Sequence, residues 1–378
     1  MREVCVIGVG MTRFGQYPEV QVTELGREAC EAAIYDSKVQ REEIQGAFCS
    51  HSFQGRVAGQ RVLKDLGLTG IPVINVENAC AGGATSFHLT WMAIAGGFFD
   101  VGMAIGLEKM TKGLIPPNPD DLEGLLGRTY PGRFAMAAQR HQYEYGTTKE
   151  QLGLVSEKNH LNGSLNPYAH HQKPLSLQEI LDSRMVSEPL TLFQCCPVTD
   201  GAAAAILCSK DIARKYQEQP IEVAASVVTS GVYQSIRKSQ ITSETELSQR
   251  AAAEAYKMAG IAPKDIDVAE VHDCFTIAEL LHYEELGFCR TGESGKLIQE
   301  GATELGGKIP VNPSGGLLAK GHPMGATGVA QIVEIVWQLR GQAGKRQVAN
   351  PTVGLTHCMG GAIPGIGQGA CGIHILKK

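Results

Sequence analysis

Cys80-Ala81-Gly82-Gly83-Ala84-Thr85 and, far along the chain, His322-Pro323-Met324-Gly325-Ala326-Thr327 lie over one another residue for residue. Each opens a long, almost uncharged run that reads as a buried helix, and each sets one chemically capable side chain ahead of it. The overlay extends in both directions. Ala29-Cys30-Glu31-Ala32-Ala33-Ile34 through Glu43-Ile44 falls on Ala251-Ala252-Ala253-Glu254-Ala255-Tyr256 through Asp265-Ile266 without a gap, and Val101-Gly102 falls on Val353-Gly354. The same helix, turn and strand therefore occur twice, and the chain reads as two related α/β halves.

Working outward, Val4 to Gly8 reads as a strand and residues 23–37 as a helix, with Thr23 as its N-cap and Leu25, Ala29, Ala32 and Ala33 on one face. Strands follow at 46–50, 71–76 and 100–106, with a buried helix over 84–95. Residues 112–190 break this rhythm. They are rich in Pro, Asn, His, Tyr and charge, and read as an inserted, partly helical loop domain, where substrate contacts are expected. Val198 to Leu207 returns to a turn and a buried strand. The expected organisation is a first half of residues 1–111 and 191–217, the insertion 112–190, and a second half 218–378.

At 378 residues and 43% hydrophobic composition the chain can bury a large core. A net charge of −5 provides no basic stripe for a phosphate backbone, so nucleic acid is not an expected partner. No apolar run is long enough to span a membrane, and the opening residues read as a strand and not as a signal peptide. A soluble, cytoplasmic protein is expected. The eleven cysteines are odd in number, scattered and without a CxxC pair, which fits neither a disulfide framework nor a zinc site. The 45 glycines, well above the roughly 7% average, gather beside small residues where backbones turn tightly or approach closely.

Glu77-Asn78-Ala79-Cys80-Ala81-Gly82-Gly83-Ala84 puts a cysteine after a strand and at the start of a buried helix. The partial positive charge and free N–H groups of a helix N-terminus lower a thiol pKa, and small neighbours leave room for a ligand. Taken alone, such a cysteine is more often a packed small hydrophobe. Under the duplication, however, His322 takes the corresponding place in the second half, with Pro323 suited to the first turn of its helix. Two such turns would point a thiol and an imidazole into one cleft, the arrangement nucleophilic catalysis needs. Glu270-Val271-His272-Asp273-Cys274-Phe275 and Leu355-Thr356-His357-Cys358-Met359-Gly360-Gly361 add titratable groups, each expected at a strand end.

Together, Asn78-Ala79-Cys80, His272-Asp273-Cys274-Phe275, Gly321-His322-Pro323-Met324-Gly325-Ala326-Thr327-Gly328 and His357-Cys358-Met359-Gly360-Gly361 resemble the motifs of the thiolase superfamily, above all the sterol-carrier-protein-like thiolases. The resemblance implies a five-layer αβαβα fold of two duplicated halves, a dimer, and ping-pong acyl transfer in which coenzyme A is substrate and product, with no tightly bound cofactor and no metal. It implies Cys80 as the acyl nucleophile and His322 as the group that activates it. It puts His272 where better-known thiolases carry an asparagine that positions an oxyanion-hole water, so that here an imidazole would do the polarising. Cys358 matches the proton-shuttling cysteine of ordinary thiolases, whereas sterol-carrier-like members take theirs from the place of Cys274; the chain has both, and Cys358 is preferred because it keeps the following glycines. The N–H groups of Cys80 and Gly360 would form the second oxyanion hole.

The insertion is shorter than in ordinary thiolases and lacks a basic cluster for nucleotide phosphates, so the resemblance also implies a small zinc-ribbon and OB-fold partner subunit that helps bind acyl-CoA. Aromatic or branched 3-oxoacyl-CoA thioesters such as benzoylsuccinyl-CoA are the expected substrates. A ketosynthase or hydroxymethylglutaryl-CoA synthase would share the fold and the nucleophile but has no use for a second catalytic cysteine. A non-catalytic, thiolase-like lipid carrier has no use for an activated thiol.

Overall fold

The computed structural model describes residues 1–110, 115, 121–233, 240–363 and 367–378, and of 240–245 the backbone alone. The expected start of the insertion near 112 lies outside them. Strand β1 (Val4–Met11) leads to helix α1 (Val22–Ser37), β2 (Ala47–Ser50), α2 (Ala58–Lys64), β3 (Val73–Val76), α3 (Gly82–Ala95) and β4 (Val101–Glu108). Next come α4 (Leu122–Leu125), α5 (Tyr130–Tyr145), α6 (Lys149–Ser164), α7 (Leu177–Leu181) and a short hairpin of β5 (Met185–Ser187) and β6 (Leu190–Thr191). The chain then forms β7 (Gly201–Ser209), α8 (Lys210–Tyr216), β8 (Ile221–Thr229), α9 (Gln240–Ala259), β9 (Val268–Glu270), α10 (Thr276–Glu285) and α11 (Ser294–Gln299). It closes with α12 (Met324–Arg340), β10 (Val353–Ile363) and β11 (Gly367–Lys377).

Nine strands pair in the order β3-β2-β4-β7-β1-β8-β11-β10-β9. Read from the centre outward this order is symmetric: β1 answers β8, β7 answers β11, β4 answers β10, and β2 answers β9. The counterpart of β3 has shrunk to a single parallel bridge between Ala269 and Val311. Among the described residues, the two halves of the sheet meet only where Cys5 pairs with Glu222 and Val6 with Ile221. Helices α3 and α12 pack on each other and touch strands of both halves, so the sheet folds around them. Helices α1, α2 and α8 cover the outer face of the first half and α9 that of the second, which completes five layers, helix–sheet–helix–sheet–helix. Three apolar clusters fill the spaces, one around Ile7, Leu63 and Ile105, one around Phe87, Val329 and Ile332, and one around Ile277, Leu317 and Ile373.

Local details differ from the sequence expectations. Helix α1 begins at Val22 with Gln21 as its cap; Val22 is buried, so the helix gains by starting early and Thr23 lies within the first turn. Pro323 is the residue before α12 and not its first helical residue. The described part of the insertion is mostly helical, with α5 and α6 held by N-cap bonds to Thr129 and Thr148.

The central crossing leaves no room for side chains. A Cβ at Gly83 would stand 2.9 Å from the carbonyl oxygen of Gly325 and the N of Gly328, and one at Gly328 would stand 2.2 Å from the N of Ala84. Gly328→Ala must therefore push two backbones apart. We expect a loss of about 1–3 kcal/mol or more, read as a lower thermal midpoint. Gly132→Ala in the first turn of α5, where a Cβ would meet only Thr129 Oγ1 at 3.4 Å, should leave the midpoint nearly unchanged.

Candidate active site

Cys80 sits at the end of a tight turn between β3 and α3. The Ala79 backbone takes φ of +47°, unusual for a residue with a Cβ, and is held there because its N–H donates to Glu77 Oε1 at 2.7 Å. The Asn78 amide donates to Thr85 Oγ1 at 2.9 Å, and Thr85 Oγ1 donates in turn to the Ala81 carbonyl at 3.0 Å. These bonds fix the thiol's direction ahead of α3.

His322 occupies the matching place ahead of α12, beyond a π-helical turn at Gly316–Lys320. The Thr327 hydroxyl donates to the Pro323 carbonyl at 3.0 Å, so it can only accept from His322 Nδ1, 2.7 Å away. That settles the tautomer: the proton is on Nδ1, and Nε2 keeps a lone pair that is buried and has no hydrogen-bond partner among the described residues. His272 follows β9, with its ring edge-on to His322 at 5.0 Å between centroids. One ligand-type atom from each of Cys80, His272 and His322 lies within 4.8 Å of the others. Cys358 projects from the adjacent strand, where its thiol donates to the Cys80 carbonyl at 3.0 Å and lies 3.6 Å from His272 Nδ1. Gly360, two residues on, packs on the turn so closely that a Cβ would stand 2.5 Å from the Cys80 N.

The structure thus brings Cys80, His322, His272, Cys358 and Gly360 together. It corrects one expectation about them: His357 and Cys358 lie in the interior of β10 and not at a strand end. Cys274 is buried beside them, its carbonyl accepting from the Cys196 N–H at 3.0 Å. The Cys358 sulfur reaches both the Cys80 backbone and the His272 ring.

A second correction is electrostatic. Cys80 is only half-buried, yet the protein packed around it pushes its thiol up to about 12, and the charge of Glu108 adds to this. Cys80 stands one residue outside the cap of α3, and desolvation outweighs the helix terminus. Burial lowers His322 to about 3 and holds His272 well below the ordinary imidazole range, with His322, His282 and His357 adding to the effect. The resting site is therefore a neutral thiol beside neutral imidazoles.

Several contributors escaped the sequence. Glu108 closes β4 and accepts from the N–H groups of Ser52, Phe53 and Gly325 at 2.8, 3.0 and 3.1 Å, which ties the start of α12 to the first half. A charged residue at the end of an apolar strand was the available signal. Asp273 accepts from Leu317 N at 2.6 Å and from the Asn159 amide at 2.7 Å, holding the turn that leads to His322. Tyr130, from the insertion, bonds to the Ala362 backbone, and its phenol is raised chiefly by burial. Nothing in the sequence around Tyr130 marked it.

Comparisons with known proteins agree along the whole chain. The family model described as the thiolase N-terminal domain matches residues 4–211, and the one described as thiolase C-terminal domain-like matches 229–366. Acetyl-CoA acetyltransferase of Methanothermobacter thermautotrophicus is 43% identical, covering 100% of both chains. Benzoylsuccinyl-CoA thiolase subunit BbsB of Thauera aromatica is 42% identical over 95% of each chain. Sterol carrier protein 2 of Homo sapiens is 39% identical over 95% of this chain and 70% of its own. Among solved structures, the Ltp2–ChsH2(DUF35) aldolase superposes with a TM-score of 0.86 at 27% identity, covering 99% of this chain and 97% of that one. Human mitochondrial 3-ketoacyl-CoA thiolase shares the fold, with a TM-score of 0.71 at 20% identity over 100% of this chain and 99% of its own.

Two outcomes follow. Gly360→Ala should thrust a methyl group against the Cys80 N–H; if that N–H serves as the oxyanion donor the resemblance implies, turnover should fall by about 10²–10³-fold with circular dichroism unchanged. The second concerns pH. His272, His322, His357 and His374 are held neutral by burial, the second and fourth lowered to about 3. Unfolded, each binds a proton below about pH 6.5, so the unfolded chain holds more protons and stability must fall as pH drops from there toward the folded values. Thermal midpoints should decline steadily from pH 7 to pH 5; a level profile would contradict this burial.

Proposed function

The chain belongs to the thiolase family and is an acyltransferase of the acetyl-CoA acetyltransferase kind, and from that premise we propose that it makes or breaks the carbon–carbon bond of 3-oxoacyl-CoA thioesters through an acyl group carried on Cys80. The observation that carries this reading is the meeting of Cys80, His322 and His272 within 4.8 Å, with the Cys358 thiol on the Cys80 carbonyl.

In the first half-reaction, the Cys80 proton passes to His322 Nε2 as the sulfur attacks the thioester carbon. The tetrahedral oxyanion faces the N–H groups of Cys80 and Gly360, and collapse expels the coenzyme A thiolate, which takes the proton back. In the second, the Cys358 proton passes to His272 Nδ1, 3.6 Å away, and the thiolate so formed removes a proton from the α-carbon of another acyl-CoA, whose thioester oxygen is polarised by His272. The carbanion attacks the acyl carbon, and Cys80 leaves as thiolate and recovers the proton held by His272, which returns every group to its resting state. Thiolysis runs the same steps in reverse. Because both groups rest neutral, proton transfer from Cys80 waits for the substrate, which excludes water and brings the oxyanion to its donors.

Identity of 42% to the benzoylsuccinyl-CoA thiolase subunit supports an aromatic or branched acyl chain. A small second subunit that helps bind acyl-CoA is supported by two relatives: BbsB is named a subunit, and the Ltp2–ChsH2(DUF35) aldolase has two named components. A homodimer core is supported by β3, which ends the sheet and leaves Ile74 half exposed. Among the described residues no helix is long and apolar enough to cross a membrane, which fits a cytoplasmic enzyme.

Incubation with an acyl-CoA should give an acyl adduct on Cys80 by mass spectrometry, absent in Cys80→Ser together with all turnover. Cys358→Ala should still be acylated but lose thiolysis and condensation by about 10²–10⁴-fold, the usual worth of a general acid–base group, whereas Cys274→Ala should cost little. An inactive Cys274→Ala beside a normal Cys358→Ala would move the proton shuttle to Cys274.

A further inference from the structure

Behind His272, on the face of β10 opposite Cys358, three buried side chains meet. His282 of α10 places Nδ1 2.7 Å from Glu285 Oε2 and Nε2 3.1 Å from the backbone carbonyl oxygen of His272. Its ring lies 4.2 Å from that of His357, whose own Nε2 is 2.9 Å from Ser248 Oγ. All three of His282, Glu285 and His357 are buried.

The donor count is decisive. A carbonyl oxygen only accepts, so His282 Nε2 carries a hydrogen. At 2.7 Å the Nδ1–Glu285 contact also needs a hydrogen between its atoms, since a lone pair facing a carboxylate would repel it. The pair thus holds one proton more than a neutral imidazole beside a carboxylate, and it is neutral as a whole, which is how an imidazole and a carboxylate tolerate such burial. The atoms of His282, Glu285 and His357 are also close enough to suggest a metal ion. Ligands of one tetrahedral zinc stand about 3.3 Å apart, however, given bonds of about 2.0 Å. A separation of 2.7 Å is that of a shared proton.

We propose that His282 and Glu285 are positioning residues for His272: a buried, proton-sharing pair that pins the His272 peptide and so aims its imidazole at Cys358 and His322. The inference rests on the role given to His272 above. Its structural logic is that the loop is gripped on both sides. The carboxylate of the next residue, Asp273, is fixed by Leu317 N and the Asn159 amide, while the His272 carbonyl is held only by His282 among the described bonds. Without that bond the peptide keeps only the 3.1 Å bond from the Asp273 N–H to the Val271 carbonyl, and the ring loses its firm hold on the 3.6 Å approach to the Cys358 sulfur.

The test compares wild type, His282→Leu, His282→Gln and Glu285→Gln in the intact enzyme. Cys80 acylation by acyl-CoA, kcat and KM for thiolysis, thermal midpoint and bound metal are measured for each. We expect His282→Leu to lower kcat by about 10–100-fold with KM within about twofold, the cost of a misplaced group, and to slow acylation far less. His282→Gln, whose amide can still donate to the His272 carbonyl, should recover part of that loss. Wild type should contain no stoichiometric metal. A folded His282→Leu with kcat within about twofold of wild type, equal losses in the Leu and Gln variants, or one bound zinc per chain would each overturn the proposal. Should His282→Leu fail to fold, Glu285→Gln decides: a several-fold loss of kcat at constant KM supports the pair, and an unchanged kcat refutes it. Absence of acylation in wild type would instead remove the acyl-Cys80 reading itself, a failure visible before any variant is compared.

Discussion

The contact on which the molecule depends is the crossing of α3 and α12, backbone against backbone, at Gly83, Gly325 and Gly328. Two helices that meet without intervening side chains bring their leading turns within a few ångströms of each other. Since Cys80 and His322 are the residues just ahead of those turns, helix proximity becomes thiol–imidazole proximity. The same crossing makes the helix pair thin enough for both halves of the sheet to pack on it, while Glu108 bridges the start of α12 to the first half through the Gly325 N–H. A methyl group at the crossing would widen all of this at once.

Around that crossing the protein keeps its reactive groups uncharged and its charged groups paired. Lys320 meets Glu270 at 2.9 Å and Lys158 meets Glu279 at 2.6 Å, all almost fully buried, beneath the turns that carry His322 and His272. Such pairs are poor sources of net stability, but removing one partner strands a buried charge at about 3–5 kcal/mol, so they lock the turns into one arrangement. Asp273 belongs to the same network, and burial together with the nearby Glu279 raises its carboxyl while Leu317 and Leu318 donate to it. The catalytic cleft is thus a neutral space framed by a rigid ionic base.

Much of this was legible in the sequence because the duplication is visible residue by residue. Once Cys80-Ala81-Gly82 and His322-Pro323-Met324 are overlaid, the symmetric strand order and the meeting of the two turns follow from a single operation. What escaped depends on long-range contacts that no local pattern encodes. Thr23 looks like a cap, yet burial of Val22 decides where α1 starts. A cysteine beside a helix start suggests an acidic thiol, yet the protein packed around Cys80 from the second half, including β10, reverses that tendency. The roles of Glu108, Tyr130, His282 and Glu285 arise from partners far along the chain, so their residue types alone said little.

Strand β10 separates two chemistries with one step of backbone: Cys358 faces the cleft, and its neighbour His357 faces α9 and α10. Slippage of this strand by a single residue would deliver an imidazole to the carbonyl of Cys80 and bury the thiol among histidines, an inversion that leaves every strand in place yet empties the site of its second sulfur. The ladder from Val353 opposite Lys377 to Ile363 opposite Gly367 therefore works as a vernier, a long scale that sets one fine position. Its length, eleven residues in each strand and most of them buried, is what makes a misaligned but otherwise well-folded chain too costly to persist.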